Sequence, residues 1–195
     1  MLATAVAAFA GTTIDDLLIL TALFLSRRTS GSPRAIAIIG GQYAGFAAIL
    51  GVTLLAATGL RIVPDRWTGL LGLVPIAFGA WGLWRLRGSG AESRPVLAST
   101  GTRIAAITFA NGADNISVFT PLFRSLHPAG ALLATALFLA LVGIWCGIGA
   151  LLASHREAVP RLGRISHWLV PTVFIAVGVL ILITSGTLTA IRQSL

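Results

Sequence analysis

Apolar residues run through this chain in six long blocks, at about residues 3–25, 35–60, 69–86, 104–123, 129–153 and 167–189. A helix needs roughly 20 mostly apolar residues to cross a bilayer, and each block is of about that length. Short polar stretches separate them, and little chain is left over for a soluble domain. The pattern predicts an all-α polytopic membrane protein with six transmembrane helices, residues 1–195 forming a single transmembrane domain.

Composition sharpens this picture. Hydrophobic residues make up 56% of the chain and charged residues 10%, against about 25% charged in an average soluble domain. The net charge is +8, and all fourteen basic residues are Arg. A basic balance can mark a nucleic-acid partner, but here the Arg residues fall between the apolar blocks. No nucleic acid is expected; the lipid bilayer is the expected partner. Positive charge collects on cytoplasmic loops. The loops after blocks one, three and five hold Arg27, Arg28, Arg34, Arg85, Arg87, Arg94, Arg103, Arg156, Arg161 and Arg164. The other side holds only Arg61, Arg66, Arg124 and Arg192. Ten against four predicts a multi-pass protein of the cell membrane with both termini outside the cytoplasm. Residues 1–11 lack a basic start, and Asp15 and Asp16 interrupt the apolar run. The first block is therefore expected to remain as a span rather than to be cleaved as a signal peptide.

Residues 87–102 form a Gly/Ser/Pro-rich linker near the middle of the chain, which suggests two halves of three helices. Repeat 1 covers about 1–87, the linker about 88–102 and repeat 2 about 103–195. An internal repeat supports the division. Residues 15–24 align with residues 114–123 at a constant offset of 99, with four of ten positions identical and Asp16 opposite its amide isostere Asn115. Gly41, Tyr43 and Gly45 match Gly143, Trp145 and Gly147, and Leu73-Val74-Pro75 matches Leu169-Val170-Pro171. An odd number of spans per repeat inverts the second half, so the expectation is two inverted three-helix repeats. Secondary transporters are often built this way, with their sites near the midplane where the halves meet.

Three acids stand near mid-span: Asp15 and Asp16 in block one, Asp114 in block four. An acid at a helix centre costs roughly 2.5–3.5 kcal/mol, and no Arg lies near mid-depth in any block to offset it. Thr12, Asp15 and Asp16 fall within one arc of about 100° on a helix, and Thr108, Asn111, Asp114 and Asn115 within about 120°. The repeat superposes Thr12 on Asn111, Asp15 on Asp114 and Asp16 on Asn115. The two polar faces are expected to enclose one cation site, with Asp15 and Asp114 as its symmetric ligands. Asp16, opposite a neutral residue, takes a supporting role with Asn111, Asn115 and Thr12. Gln42 offers a further amide oxygen, although its counterpart is Ile144. Gly11 and Gly112 are candidates for local unwinding that frees carbonyls toward a cation. The pairs Gly41/Gly45 and Gly143/Gly147 read as close helix contacts, and Pro75 and Pro171 as kinks. His127, His155 and His167 lack metal-ligand spacing, and Trp67, Trp81, Trp84 and Trp168 sit near block ends as interfacial anchors. No phosphate-binding loop, nucleophile elbow or zinc pattern is present. No cofactor is expected, and the chain is not read as an enzyme; transport would run on gradients.

These motifs resemble a known family. The stretch Gly11-Thr-Thr-Ile-Asp15-Asp16-Leu17 is similar to the Thr-x-x-Asp-Asp signature of cadmium-resistance (CadD-type) transporters, which belong to the lysine-exporter superfamily. Gly41-Gln42-Tyr43-Ala44-Gly45-Phe46, Trp67 through Pro75, and Ala110-Asn111-Gly112-Ala113-Asp114-Asn115 through Phe123 are similar to later family motifs, in the same order. The resemblance implies efflux of cadmium or a related divalent cation, conferring metal resistance. Soft ions favour thiolate ligands, whereas the inferred site is built of oxygen donors that suit Mg, Ca or Mn. The lone Cys146 is the only thiol. Cadmium then becomes a toxic passenger on a site whose usual cargo is another dication. Proton-coupled antiport by alternating access is the expected mechanism. Rival readings are an exporter of amino acids or other small organic cations, a metal-sensing membrane subunit, and an intramembrane aspartyl protease using a carboxylate dyad. A homo-oligomer is compatible with the sequence.

Overall fold

Inside a bilayer a backbone polar group has no water to bond, so apolar segments keep their hydrogen bonds within helices. The computed structural model describes residues 2–62, 73–86, 100–155, 157, 160–161, 171–173, 175–176, 178–179 and 182–183. Among the described residues regular structure is helical throughout, in α1 (Leu2–Thr12), α2 (Ile14–Ser30), α3 (Ala35–Gly59), α4 (Leu73–Leu86), α5 (Gly101–Asn111), α6 (Ala113–Arg124) and α7 (Pro128–Leu152). A single 3-10 turn, Leu60–Ile62, follows α3.

Two helices, Ala35–Gly59 and Pro128–Leu152, are each long and apolar enough to cross a membrane. At about 1.5 Å per residue, 25 residues exceed the roughly 30 Å of hydrocarbon. Thr4–Thr12 and Ile14–Ser30 pass the same test only when taken together, and they bend by 52° at Thr13. The first expected span is therefore a broken helix. Block four is broken as well, with Gly112 between α5 and α6. Block three is described only from Leu73, block six only at scattered positions, and residues 87–99 of the linker lie outside the described residues, as do Trp67, Trp168 and His167.

Helix ends follow ordinary rules. Gly31 closes α2 in the left-handed region at φ 75°, its N–H donating to the Arg27 carbonyl. Arg27 and Arg28 occupy the last turn of α2, where the helix dipole favours cations. Pro128 opens α7 at a position whose N–H has no intrahelical acceptor.

Packing pairs each long helix with the broken helix of the other half. The most extensive contact joins α3 to α5. A Cβ placed on Gly41 would come within 2.7 Å of Ile104 Cβ, and one on Gly45 within 2.6 Å of Thr108 Cβ and 2.7 Å of the Ala105 carbonyl oxygen. These glycines let the backbones meet. Further along, Ile49 packs on Gly112 and Arg124 Nη1 donates to the Leu60 carbonyl. Residue numbers rise together on both sides, so the two chains run parallel. The α2–α7 contact is also parallel: Trp145 meets Thr13, Gly149 packs on Leu20, and Arg28 Nη2 donates to the Ala150 carbonyl at 3.3 Å. Close packing at Gly143/Gly147 is only half met. A Cβ on Gly143 would press on the Tyr43 hydroxyl, while Gly147 has nothing within 4 Å among the described residues. Pro75 lies within α4, two residues after the first described residue of that helix.

The core where these elements converge is aromatic. Phe9 stacks edge-on with Phe46 and Trp145 at 5.5 and 5.4 Å between ring centres. Phe138 lies 5.5 Å from Phe9, 4.6 Å from Phe119 and 5.8 Å from Phe123. Trp81 and Trp84 face outward on α4, as lipid-anchoring side chains do.

Candidate functional site

The two helix breaks are alike. Thr13 has φ −100° and ψ 13°, and Gly112 has φ −87° and ψ 10°. Both lie in the sparsely populated bridge region, and the repeat offset of 99 carries one onto the other. Each break starts a helix whose first turn is acidic, Asp15 and Asp16 in α2 and Asp114 in α6. The positive end of a helix dipole favours carboxylates there. This offsets part of the cost of burying them.

Glycine's role at the breaks differs from the expectation. Gly11 lies two residues before the break, and a Cβ on it would sit 2.0 Å from Val173 Cγ1. Gly112 is a break residue, but its φ is negative, so backbone freedom is not what it supplies. A Cβ there would meet Ile49 Cδ1 at 2.1 Å. Both glycines make room for a neighbouring helix. The turn at position 13 is made by a threonine, whose Oγ1 donates to the Phe9 carbonyl at 2.7 Å.

The predicted polar residues collect around Asp16. Its side chain is only 2% exposed, and its Oδ1 accepts from Asn111 Nδ2 at 3.3 Å, across the contact between the two halves. The Asn115 and Gln42 amides and the Asp15 carboxyl also act on it. Among the described residues none of these groups is positively charged. Among the described residues Asp16 Oδ2 has no hydrogen-bond partner, nor do Oδ1 and Nδ2 of Asn115, which is 1% exposed. The repeat-related pair Asp16 and Asn115 thus places three unpartnered polar atoms in the interior, where each costs roughly 1–3 kcal/mol.

Asp15 and Asp114 are half-buried. Asp114 lies within electrostatic reach of both Asp16 and Asp15, while its Oδ1 accepts from the backbone N–H of Asn115 at 2.8 Å. Gln42 is buried, and its Oε1 accepts from Thr108 Oγ1 at 2.8 Å. Thr12 is buried at the end of α1, its Oγ1 donating to the Ala8 carbonyl at 3.0 Å. Its oxygen lone pairs stay available. Among the described residues no three His, Cys, Asp or Glu side chains come together tightly enough to hold a metal ion. The carboxylates share one neighbourhood without converging on one point.

Some contributors were not singled out from the sequence. Trp145 Nε1 donates to the Thr13 carbonyl at 2.9 Å, tying α7 to the first break. Thr53 and Thr120 carry further buried hydroxyls without partners among the described residues. Thr120 had a signal in its repeat identity with Thr21; Thr53 had none. Trp145→Phe keeps the ring against Phe9 and deletes only the hydrogen bond. It is expected to lower stability by about 0.5–1.5 kcal/mol, measurable by thermal unfolding in detergent. An unchanged unfolding midpoint would remove this bond from the account of the break.

Compared with known proteins, a family model described as "Cadmium resistance transporter" matches residues 9–193 of the chain. No curated protein and no solved structure matches it.

Proposed function

This chain belongs to the cadmium resistance transporter family, and on that premise we propose that it exports cadmium or a related divalent cation by alternating access. The polar centre between the two helix breaks is its binding site. The observation that carries this reading is the buried Asp16 carboxylate with an unpartnered oxygen, facing amides from the opposite half. A cation supplies the missing partner, and leaving completes the cycle.

In this reading six spans form two inverted repeats. The matching breaks and the reciprocal pairing of α3 with α5 and of α2 with α7 support that arrangement. The Arg distribution sets both termini outside the cytoplasm. Asp16 then acts as the central ligand, with Asp15 and Asp114 closing from either break. Asn111, Asn115, Gln42 and Thr12 supply neutral oxygens. Binding draws Asp114 away from the Asn115 N–H, so assembling the site and rearranging the break are one event. The aromatic cluster lies beyond the site toward the start of α1 and the end of α6. In the proposed orientation that is the outer side, so this conformation is closed outward.

Three carboxylates around a dication leave one negative charge in excess. A proton arriving from outside removes it and weakens the site, which makes the cycle a proton-coupled antiport. The test expresses the protein in a metal-sensitive host and measures cell-associated cadmium, zinc, manganese and calcium together. Wild type is expected to lower cadmium relative to the empty vector. Asp114→Asn should lose most of that effect, since removing even an outer partner of a metal site costs about 10–100-fold. Equal metal content in wild type and empty vector would sink the exporter reading.

A further inference from the structure

We propose that Cys146 is a sulfur ligand of the transported cation, joining Asp16 in a mixed sulfur–oxygen site that selects thiophilic dications over hard ones. This rests on the transport reading above and names the substrate class of the same site.

Register places the thiol. On α7, Trp145 bonds the Thr13 carbonyl and Gly149 packs on Leu20. Cys146 lies between these two levels, and Asp16 lies between the same two levels on α2. Cys146 is free and 4% exposed. At this level the deeply buried Asp16 Oδ2 has no hydrogen-bond partner among the described residues. A cysteine in a membrane helix often serves as a small apolar filler. Filling alone leaves that oxygen unanswered.

The repeat sharpens the case. Cys146 aligns with Ala44, which is exposed, and Gln42 aligns with Ile144, also exposed. Gln42 on α3 and Cys146 on α7 thus turn inward at non-equivalent positions, the one bringing an amide and the other a thiol. The oxygen donors alone suit Mg, Ca or Mn, and one thiolate shifts preference toward softer cations. On binding, the sulfur–metal bond forms as the thiol proton leaves to water, and the carboxylate oxygen of Asp16 completes the pair.

The test titrates the purified full chain in detergent with cadmium and, separately, manganese, following the ultraviolet charge-transfer absorption of a cadmium–thiolate bond and the affinity for each ion. Wild type is expected to develop the band. Cys146→Ser and Cys146→Ala are expected to lack it and to bind cadmium about tenfold or more weakly, with manganese affinity changed less than about twofold. Cadmium binding to wild type without the band overturns the proposal even if the variants do not fold. So does a Cys146→Ala protein that retains wild-type cadmium affinity. In cells the two readings separate. Export by wild type that Cys146→Ser matches in full refutes the thiol alone, whereas no export by wild type refutes the transport reading beneath it.

Discussion

Asp16→Asn is expected to abolish cadmium resistance while leaving the protein in the membrane at wild-type amount and at least as stable. The two halves of this expectation have separate causes. The carboxylate is nearly the same shape as the amide, so packing is retained. The remaining oxygen can still accept from Asn111 Nδ2, as Asp16 Oδ1 does now. The new amide nitrogen can donate to Asn115 Oδ1, which has no partner in the wild type. One added hydrogen bond contributes about 0.5–1.5 kcal/mol, and the substitution also relieves repulsion from Asp15 and Asp114. In the proposed site, transport loses its central charged ligand. Partners one shell further out already cost about 10–100-fold when removed, so the expected loss in cadmium tolerance is at least tenfold. Growth across a cadmium series and thermal unfolding of the two purified proteins read these effects independently. A variant that loses resistance because it unfolds would assign Asp16 a structural role instead.

The second large effect is on stability and comes from a comparison between two glycines that the repeat makes equivalent. Gly45→Ala is expected to destabilise, and Gly147→Ala is not. A methyl group at Gly45 collides with Thr108 Cβ at 2.6 Å and with the Ala105 backbone carbonyl at 2.7 Å. Neither atom is the loose end of a side chain, so α3 and α5 must move apart. Overpacking of this kind costs about 1–3 kcal/mol. The displaced Thr108 also carries the hydroxyl that orients Gln42, so cadmium export should fall with stability. Gly147 has nothing within 4 Å among the described residues, and alanine there gains up to about 1 kcal/mol of helix propensity. Unfolding midpoints for both variants decide the matter; equal shifts would mean that the α3–α5 contact is not as close as described.

These comparisons also show what could be read from the residues and what could not. Apolar block length was enough to find α3 and α7, because a bilayer allows one length of helix and one way to satisfy its backbone. The neighbourhood of Asp15, Asp16, Asp114, Asn111 and Asn115 was legible from the offset of 99 and from the cost of unpaired mid-span acids, whereas Gln42, opposite Ile144, had no such support. Which acid lies deepest was not. The repeat alignment set Asp16 below Asp15 because its counterpart Asn115 is neutral, and that pairing carries no information on burial depth; the 52° bend at Thr13 separately breaks the straight-helix projection between Thr12 and the two acids. Composition pointed to Gly11 as the place of unwinding, but a threonine makes that turn, and Gly11 instead accommodates Val173. The pairing of Trp145 with the Thr13 carbonyl joins residues 132 apart, which no local pattern encodes. Alignment of Gly147 with Gly45 did not by itself carry a close contact among the described residues, since what a glycine meets depends on the neighbouring helix.

The central claim is that the buried Asp16 carboxylate binds the cation this protein moves. Its most direct test is cadmium flux into or out of proteoliposomes containing the purified full chain, wild type beside Asp16→Asn, with an imposed pH gradient. The account predicts cadmium movement by wild type that responds to the gradient, and none by the variant in vesicles holding the same amount of folded protein. Equal flux from the two proteins would contradict it.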